Sequence, residues 1–400
     1  MRASPLALSA YTAVSAMGRG TAATLDALLS RRSGLRPCDF EGVDLPVHIG
    51  RVAGVEDSAM PPGLERFDCR NNRLACMALA TDGFADAVRA AARRHGPERV
   101  AVVLGTSTSG VHACERAYQR RDPATGALPD DFDYRHTHDL FSLARLVREA
   151  LGLRGPAMVT STACSSGAKT FGEAADLIAC GLCDAAVVGG ADSLCGMTLH
   201  GFHALDLLAS GPCRPCAADR DGISIAEAAA FALLERPEDA PAARLHLLGH
   251  GASADAHHMS APHPEGLGAA LAMRAALRSA GLTPADIDYV NFHGTGTKAN
   301  DATEDAAVHD VLGPARPACS STKGWSGHAL GASGALEAVV AALCVEHGLA
   351  PGCLNVGEVD PAFRSDIAAE NRHRRVRRAM SNSFGFGGSN CALILGEAPG

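Results

Sequence analysis

Short apolar runs bounded by glycine or proline alternate along this chain with longer stretches that are rich in alanine and leucine. The short runs have the length of buried β-strands, and several longer stretches place apolar residues three and four positions apart, as amphipathic helices do. This alternation is typical of parallel strands joined by crossover helices, so the sequence predicts an α/β fold. The predicted strands are 99–104, 157–163, 185–188, 230–234, 289–292 and 391–395. The predicted helices are 71–94, 164–180, 266–280, 302–311 and 332–347.

The chain is long enough to divide into two parts. Its 400 residues exceed what one hydrophobic core usually supports. A proline-containing, charged stretch at 235–243 is the clearest boundary between periodic segments. We therefore expect an N-terminal half at 1–239 and a C-terminal half at 240–400.

Composition excludes several classes of protein. With 47% hydrophobic and 20% charged residues, the chain can bury enough apolar surface to fold, so it is not a disordered protein. Its 36 basic and 44 acidic side chains give a net charge of −8, which argues against a general nucleic-acid binder. Because no run of 18 uninterrupted apolar residues is present, no membrane span is predicted.

Cysteine usage and the first residues bear on the compartment. Fourteen cysteines are scattered along the chain rather than densely spaced as in a small disulfide-bonded domain, which indicates reduced thiols and a cytoplasmic location. The mostly apolar segment 5–17 follows Arg2, as the core of a signal peptide follows a basic residue. Polar residues interrupt the segment and Gly18 follows it, so we interpret it as a first buried strand that ends in a turn.

The segment 157–167, AMVTSTACSSG, predicts a buried strand that passes through a turn of small residues into a helix. Cys164 lies at the start of this helix. Unpaired backbone N–H groups and the helix dipole favour a thiolate at this end, and the same N–H groups can hold a developing oxyanion. Cys164 is therefore a candidate nucleophile, and a packed structural cysteine is the alternative interpretation.

Two further segments carry candidate histidines. NFHGTGT at 291–297 places His293 at the carboxyl end of a predicted strand, where α/β proteins bind ligands. SSTKGWSGHALGASG at 320–334 places Lys323 and His328 five residues apart, among glycines that permit close backbone approach. Taken alone, each segment is also compatible with structural residues in tight packing.

A glycine-rich turn precedes the last predicted strand. It reads SNSFGFGGSN at 381–390 and places Phe386 between glycines. Consecutive glycines permit a positive φ and a mobile aromatic side chain at the same place. Taken alone, the motif is also compatible with an ordinary tight turn.

Two Cys-x-x-Cys pairs have the spacing of cysteines that bind zinc. Cys180 with Cys183 and Cys213 with Cys216 have the right internal spacing, but the interval between the pairs is longer than in a compact zinc ribbon. We therefore expect packed thiols and no metal site.

In combination, TACSSG, NFHGTGT, GHALGASG and SFGFGG occur in the order found in elongating β-ketoacyl-acyl-carrier-protein synthases. The sequence strongly resembles this ketosynthase family over nearly its whole length. The resemblance implies a thiolase-like fold, in which two similar halves stack as five layers, α-β-α-β-α, and two chains form a homodimer. It also implies that no cofactor is bound, because the phosphopantetheine arm arrives on the acyl carrier protein.

The chemistry implied by the resemblance is a decarboxylative Claisen condensation. Cys164 would accept an acyl group from the carrier. A malonyl carrier would then lose carbon dioxide while His293 and His328 stabilise the enolate oxygen, and the carbanion would attack the acyl thioester. The product would be a β-ketoacyl carrier in fatty acid, polyene or polyketide synthesis. For this role both imidazoles should be neutral and should present an N–H group.

The resemblance also implies roles for neighbouring residues. Lys323 and Glu304 match positions that support the two histidines, and Asp301 also matches a support position. Phe386 matches a gate to the acyl pocket, and its backbone N–H, with that of Cys164, would form the oxyanion hole. The residues expected to bind substrate are Thr295, Thr297, Asp301, Phe384 and Gly385.

The chain departs from the family at several positions. Relatives commonly carry glycine where this chain has Ala226, Ala228 and Ala230. If these positions need a positive φ, each alanine costs on the order of 1 kcal/mol. In addition, Cys216 replaces a phenylalanine that follows Arg-Pro. These differences affect the expected substrate preference more than the reaction type.

Other functions are compatible with parts of the pattern. A thiolase would carry a second catalytic cysteine in its C-terminal glycine-rich motif, and a chain-initiating synthase would pair one histidine with an asparagine. The combination of His293, His328 and SFGFGG fits neither class. The alternative that stays open is a noncatalytic or chain-length-determining partner of a ketosynthase heterodimer, because three expected glycines are absent.

Acyl carrier proteins are typically acidic, so a basic patch is the expected docking site. Arg66, Arg70 and Arg73 cluster at the start of a predicted helix and are our candidates. A second basic group at 372–378 is the alternative.

Overall fold

The computed structural model describes residues 4–397, and Arg2 therefore lies outside the described residues. The strands up to residue 240 are β1 (Leu6–Ser15), β2 (Gly18–Arg19), β3 (Leu35–Pro37), β4 (His48–Gly50), β5 (Val100–Gly105), β6 (Ala157–Thr160), β7 (Ala185–Asp192) and β8 (Ala228–Glu235). The later strands are β9 (Leu245–Ala254), β10 (Tyr289–Asn291), β11 (Ala318–Ser320), β12 (Leu349–Ala350), β13 (Asp366–Ile367), β14 (Arg372–His373), β15 (Arg378–Gly385) and β16 (Ser389–Glu397).

Crossover helices join these strands. The α-helices are α1 (Thr21–Leu29), α2 (Arg70–Leu79), α3 (Phe84–His95), α4 (Val111–Gln119), α5 (Ser142–Ala150), α6 (Ser166–Ala179), α7 (Gly196–Ala204), α8 (Leu267–Ala280), α9 (Lys298–Leu312), α10 (Lys323–Ser326) and α11 (Ser333–His347). Most of the predicted elements are present, with ends that differ by a few residues.

The two halves repeat one topology. The first sheet has the strand order β1-β8-β7-β5-β6, and the second has the order β9-β16-β15-β10-β11, with the short strand β13 beyond β11. In each sheet the strand next to the first, β8 or β16, runs antiparallel to both of its neighbours, and the remaining pairings are parallel. The first strands, β1 and β9, also pair with each other, so the two sheets are continuous.

Helices complete five layers around these sheets. Helices α6 and α11 contact each other and lie between the two sheets. On the outside, α2, α3 and α5 cover the first sheet, and α8, with α9 packed against it, covers the second. The α-β-α-β-α arrangement expected from the resemblance is therefore confirmed.

The central layer explains one apolar helical segment. By length and composition Leu330–His347 is apolar enough to cross a membrane, and 89% of it is buried inside the fold. Its apolar side chains pack against both sheets, which accounts for a helix that is hydrophobic on all sides.

The predicted helix 71–94 is wrong, because two helices, α2 and α3, occupy this stretch. Asp82 and Gly83 adopt φ values of 55° and 68°, which end α2 and start α3 in a new direction. The Asp82 carboxylate accepts hydrogen bonds from the Thr12 hydroxyl at 2.8 Å and the Thr21 N–H at 3.0 Å. These contacts with β1 and α1 hold the break in place.

The expected cost of three alanines is also corrected. None of Ala226, Ala228 and Ala230 has a positive φ, so no left-handed strain arises at these positions. The Ala226 methyl group fits because two of its neighbours are glycines, which have no side chain to collide with it. A Cβ on Gly50 or Gly327 would lie 2.6 or 2.7 Å from the Ala226 methyl group.

Candidate active site

Cys164 lies in the tight turn between β6 and α6. The helix begins at Ser166, two residues later than the predicted start. Ala163 adopts a left-handed φ of 52°, and its carbonyl accepts the Ser166 N–H at 3.1 Å. This local turn places the buried thiol at the carboxyl end of a parallel strand, where the two halves meet.

The structure brings the thiol and both histidines together. Nε2 of His328 lies 3.1 Å from Sγ of Cys164. The rings of His293 and His328 have centroids 5.2 Å apart and planes at 83°. The Cys164 sulfur and one ring nitrogen of each histidine all lie within 4.8 Å of one another.

Hydrogen bonds at Nδ1 determine which nitrogen of each ring carries the proton. Nδ1 of His328 accepts the Leu330 N–H at 3.2 Å and lies 2.9 Å from the Ser333 hydroxyl. Nδ1 of His293 lies 3.4 Å from Nζ of Lys323, an ammonium group that can only donate. Both Nδ1 atoms are therefore acceptors, and both rings carry their N–H at Nε2.

Both imidazoles are neutral at pH 7. Burial lowers the pKa of His293 well below its usual value, and the nearby charge of Lys323 and the second ring act in the same direction. Burial, followed by the charge of Lys323, also lowers the pKa of His328 well below its usual value. The site thus holds two neutral N–H donors beside a thiol.

A cysteine and two histidines this close together also resemble a metal-binding set. A metal ion would need the lone pair of each imidazole at Nε2. Because donors at Nδ1 of His293 and His328 keep the proton on Nε2, the arrangement favours hydrogen-bond donation into the site over metal binding.

Lys323 and Glu304 hold the His293 loop through hydrogen bonds to its backbone. Nζ of buried Lys323 donates to the His293 carbonyl at 2.5 Å and forms an ion pair with Glu337. The Glu304 carboxylate accepts the N–H groups of His293 and Gly294, each at 2.8 Å. Burial raises the pKa of Glu304 to about 8, although these two N–H groups act to lower it.

The expectation that the helix start favours a thiolate at Cys164 is not met. Burial raises the pKa of Cys164 to about 11. The charge of Lys323 and the backbone N–H of Phe386 act to lower this pKa, but their effect is smaller than the rise caused by burial. The thiol is thus protonated at pH 7.

The glycine-rich turn lies directly against Cys164. A Cβ on Gly385 would lie 2.8 Å from the Thr162 carbonyl oxygen and 3.2 Å from the Cys164 nitrogen, so the close approach requires glycine. The Phe386 ring stacks on Phe202 of α7 with centroids 5.7 Å apart. The turn therefore places the Phe386 N–H beside the thiol, and Phe386 lines the same cavity as Cys164.

A cavity of about 560 Å³ leads to this cluster. Its lining includes Cys164, both histidines, Thr295, Thr297, Phe384, Gly385 and Phe386. The hydroxyls of Thr295 and Thr297 are 3.0 Å apart along one wall.

Asp301, a predicted substrate-binding residue, does not line the cavity. It is buried and accepts the N–H groups of Cys216 at 2.9 Å and Gly296 at 3.1 Å. Its carboxylate therefore holds the threonine loop in position rather than facing a ligand.

Family models match both halves of the chain. A model described as "Beta-ketoacyl synthase, N-terminal domain" matches residues 4–240, and one described as "Beta-ketoacyl synthase, C-terminal domain" matches residues 245–357. The chain belongs to the β-ketoacyl synthase family. This agrees with the resemblance drawn from the four sequence motifs.

Curated relatives of this family cover most of the chain. The 3-oxoacyl-[acyl-carrier-protein] synthase 2 of Mycobacterium tuberculosis (strain H37Rv) is 32% identical over an alignment of 421 positions, which covers 97% of each chain. The protein of the same name from Rhizobium meliloti (strain 1021) is 39% identical over an alignment of 317 positions, which covers 74% of this chain and 73% of the relative.

Solved ketosynthase structures have the same fold. A ketosynthase in complex with its chain length factor, from Xenorhabdus doucetiae, has a TM-score of 0.88 and 37% identity, with 99% of this chain and 98% of that chain covered. The ishigamide ketosynthase/chain length factor has a TM-score of 0.90 and 30% identity, with 99% and 100% covered.

Phe202 and Glu337 are among the residues of this site that were not predicted from the sequence. Phe202 carries no local signal, because a phenylalanine on a helix is common in any core. Glu337 does carry one, since it is the single carboxylate in the otherwise apolar stretch 334–345 of α11 and a buried carboxylate needs a partner. Its partner, Lys323, is the residue predicted to support the histidines.

The three arginines predicted to dock a carrier all have internal partners. Arg66 pairs with Glu149, and Arg73 pairs with Asp68 at 2.5 Å. The side chain of Arg70 is only 8% exposed, and it pairs with buried Glu227 at 2.6 Å. The burial of Arg70 does not fit a docking role.

Proposed function

We propose that the protein catalyses the decarboxylative condensation of a cysteine-bound acyl group with a malonyl-acyl-carrier protein. The observation that carries this proposal is the 3.1 Å approach of the Nε2–H of His328 to Sγ of Cys164, with a second neutral imidazole alongside. An enolate oxygen formed next to the thioester would meet both N–H groups.

In the first step Cys164 takes the acyl group. Its proton leaves, Sγ attacks the thioester carbonyl of an acyl carrier, and the pantetheine thiol departs with the proton. The N–H groups of Cys164 and Phe386 receive the oxyanion of the tetrahedral intermediate. The phosphopantetheine arm belongs to the carrier, so the proposal includes no bound cofactor.

In the second step a malonyl carrier occupies the same cavity. Its carboxylate leaves as carbon dioxide, and the electron pair of the broken bond forms an enolate whose oxygen accepts from Nε2 of His293 and His328. The enolate carbon then attacks the acyl carbonyl on Cys164, and the thiolate leaves. Neutral donors suit this step because they stabilise charge that appears only during reaction.

The wall of the cavity suits the arm of a carrier. The hydroxyls of Thr295 and Thr297 offer hydrogen bonds to the amide groups of pantetheine. The ring of Phe384 lies 6.2 Å from that of His293 and narrows the inner end. Phe386 lines the same cavity as Cys164 and stacks on Phe202, a position that supports its role as a gate.

We propose a second ketosynthase-like chain as the structural partner. Strand β6 is an edge of the sheet in the described residues, and Met158 on it is 41% exposed. Tyr134 and Leu140, from the preceding segment, are also exposed. An open strand edge with apolar side chains favours pairing with another chain, either a copy of this chain or a distinct subunit.

We also propose a cytoplasmic location. All fourteen cysteines are free in the structure, and most are buried. Free thiols in this number are typical of a reducing compartment.

The decisive experiment incubates the protein with an acyl carrier and then with a malonyl carrier, and records the mass added at Cys164 and the product formed. Acylation of Cys164 followed by a β-ketoacyl product two carbons longer supports the proposal. Cys164→Ala is the matched control and should give neither signal.

The same experiment distinguishes the noncatalytic alternative. A chain-length-determining partner would show no acylation and no condensation alone, but would change the product length of a co-expressed ketosynthase. The assembled cysteine and histidines favour the catalytic function.

A further inference from the structure

Within residues 4–397, Lys298 is a cation without an internal partner. The chain has only three lysines. Lys169 donates to the Ser389 hydroxyl at 2.5 Å, and Lys323 is buried in its ion pair with Glu337. Lys298 is exposed, and no acceptor for its Nζ lies within bonding distance among residues 4–397.

Lys298 stands at the outer end of the cavity wall. The wall runs from buried His293 through Thr295 and half-buried Thr297 to exposed Lys298, and all four residues line the cavity. Five residue steps separate the first from the last, which limits their Cα separation to about 18 Å. A ligand that reaches the thiol along this wall therefore passes Lys298 as it enters.

The charges around the cavity single out Lys298. Within the described part of the chain it is the only lining residue with a permanent positive charge, whereas Asp206, Asp221 and Asp255 supply three carboxylates. Asp221 and Asp255 are already held by hydrogen bonds of their own. An anionic ligand is thus attracted at one point of the entrance and repelled at the others.

We propose that Lys298 binds the phosphate group that joins the pantetheine arm to its carrier, an inference that rests on the proposed function. With the thioester at Cys164 and the arm along Thr295 and Thr297, the phosphate lies at the solvent end of the wall. A lysine ammonium is a compact point charge on a flexible stem, which suits a phosphate arriving from solvent. Lys298 is a binding residue and takes no part in the bond changes.

The test compares three thioesters that carry the same acyl group. The first is on pantetheine, which has no phosphate, the second is on phosphopantetheine, and the third is on the holo-carrier protein. The readout is kcat/KM for acylation of Cys164, followed by mass. For the two phosphate-bearing substrates we expect K298Q, which removes the exposed charge, to lower kcat/KM roughly threefold to fivefold. K298E, which reverses the charge, should lower it about tenfold. The pantetheine thioester should change less than twofold.

Two controls sharpen the result. K298R keeps the charge and should stay within twofold of the wild type with every substrate. Arg93 is an exposed arginine in the last turn of α3, on the outer face of the other half, and R93E makes the same charge change there. It should leave all three substrates unaffected. The K298E effect should shrink as salt is raised, because exposed charges are screened.

Three outcomes would overturn the assignment. An equal loss with the pantetheine thioester would mean that Lys298 does not act through phosphate. A loss with the carrier protein alone, and none with the phosphopantetheine thioester, would place Lys298 against the protein surface of the carrier instead. If wild-type Cys164 is acylated by none of the three substrates, the proposed function itself fails, and this inference fails with it.

Discussion

A single imidazole, His328, connects the two steps of the proposed reaction. Its Nε2–H faces the thiol, while the Leu330 N–H and the Ser333 hydroxyl hold Nδ1. His328→Ala should lower condensation by about 10² to 10³-fold, the usual cost of removing one oxyanion donor, while Cys164 still accepts an acyl group. The measurements are carbon dioxide release from the malonyl carrier and the mass of acylated Cys164.

Ser333→Ala provides the graded comparison. It removes one partner of Nδ1 and leaves the Leu330 N–H in place, so condensation should fall less than tenfold. A His328→Ala enzyme that condenses at the normal rate would contradict the role assigned to this ring.

The raised pKa of Cys164 predicts how its reactivity depends on pH. Because burial raises this pKa to about 11, only the small thiolate fraction reacts near neutrality, and that fraction grows tenfold per pH unit below the pKa. The rate of alkylation by iodoacetamide should therefore rise steadily from pH 7 to pH 10. It is measured by mass on the peptide that contains Cys164, with exposed Cys180 followed in the same sample as a reference. A plateau at neutral pH would show that the helix start lowers the pKa after all.

At the scale of the secondary-structure elements, a buried ion pair fixes the start of α2. Arg70, its first residue, pairs with Glu227, whose carboxylate also accepts the N–H groups of Val52 and Leu194. Arg70→Ala would leave this carboxylate buried without its cation, so the free energy of unfolding should fall by about 3–5 kcal/mol.

Urea unfolding measures this change, and Arg66→Ala is the matched control. Arg66 lies four residues earlier, before α2 begins, in a half-exposed ion pair with Glu149, and its loss should cost about 1 kcal/mol or less. Equal losses for the two variants would mean that the Arg70 pair does not hold the helix.

The elements also show what the sequence could and could not predict. Strand β5 and helix α11 have strong local patterns, and the structure confirms both within one residue. The break between α2 and α3 was missed because the contacts of Asp82 are with Thr12 and Thr21, which are more than sixty residues away in the chain. Contacts of this range leave no periodic trace in a local window.

In the site, too, residues within local sequence motifs were predictable, and residues placed by long-range packing were not. Cys164, His293 and His328 lie in glycine-rich motifs that are visible in the sequence. Phe202 reaches the site only through the packing of α7 against the glycine-rich turn, so no motif marks it. The predicted boundary between the two halves at residue 239 stays a prediction. Because β1 and β9 pair with each other, the two sheets form one continuous sheet across this boundary.

At the scale of the whole molecule, the continuous sheet has to end somewhere, and β6 is the end that belongs to the first half. Among the strands of residues 4–397, β6 pairs with β5 on one side only. Met158→Glu would bring an unpaired carboxylate into any interface formed along this edge, which costs several kcal/mol. We therefore expect the dissociation constant of the assembly to rise at least about a hundredfold, measured by sedimentation velocity.

The matched control for this edge is Leu271→Glu. Leu271 is 42% exposed, almost as much as Met158, but lies on α8, which covers the outer face of the second sheet. This variant should assemble like the wild type, and circular dichroism should show both variants folded. If Met158→Glu and Leu271→Glu sediment alike, the subunits do not meet along β6, and the exposed side chains of that edge must serve another contact.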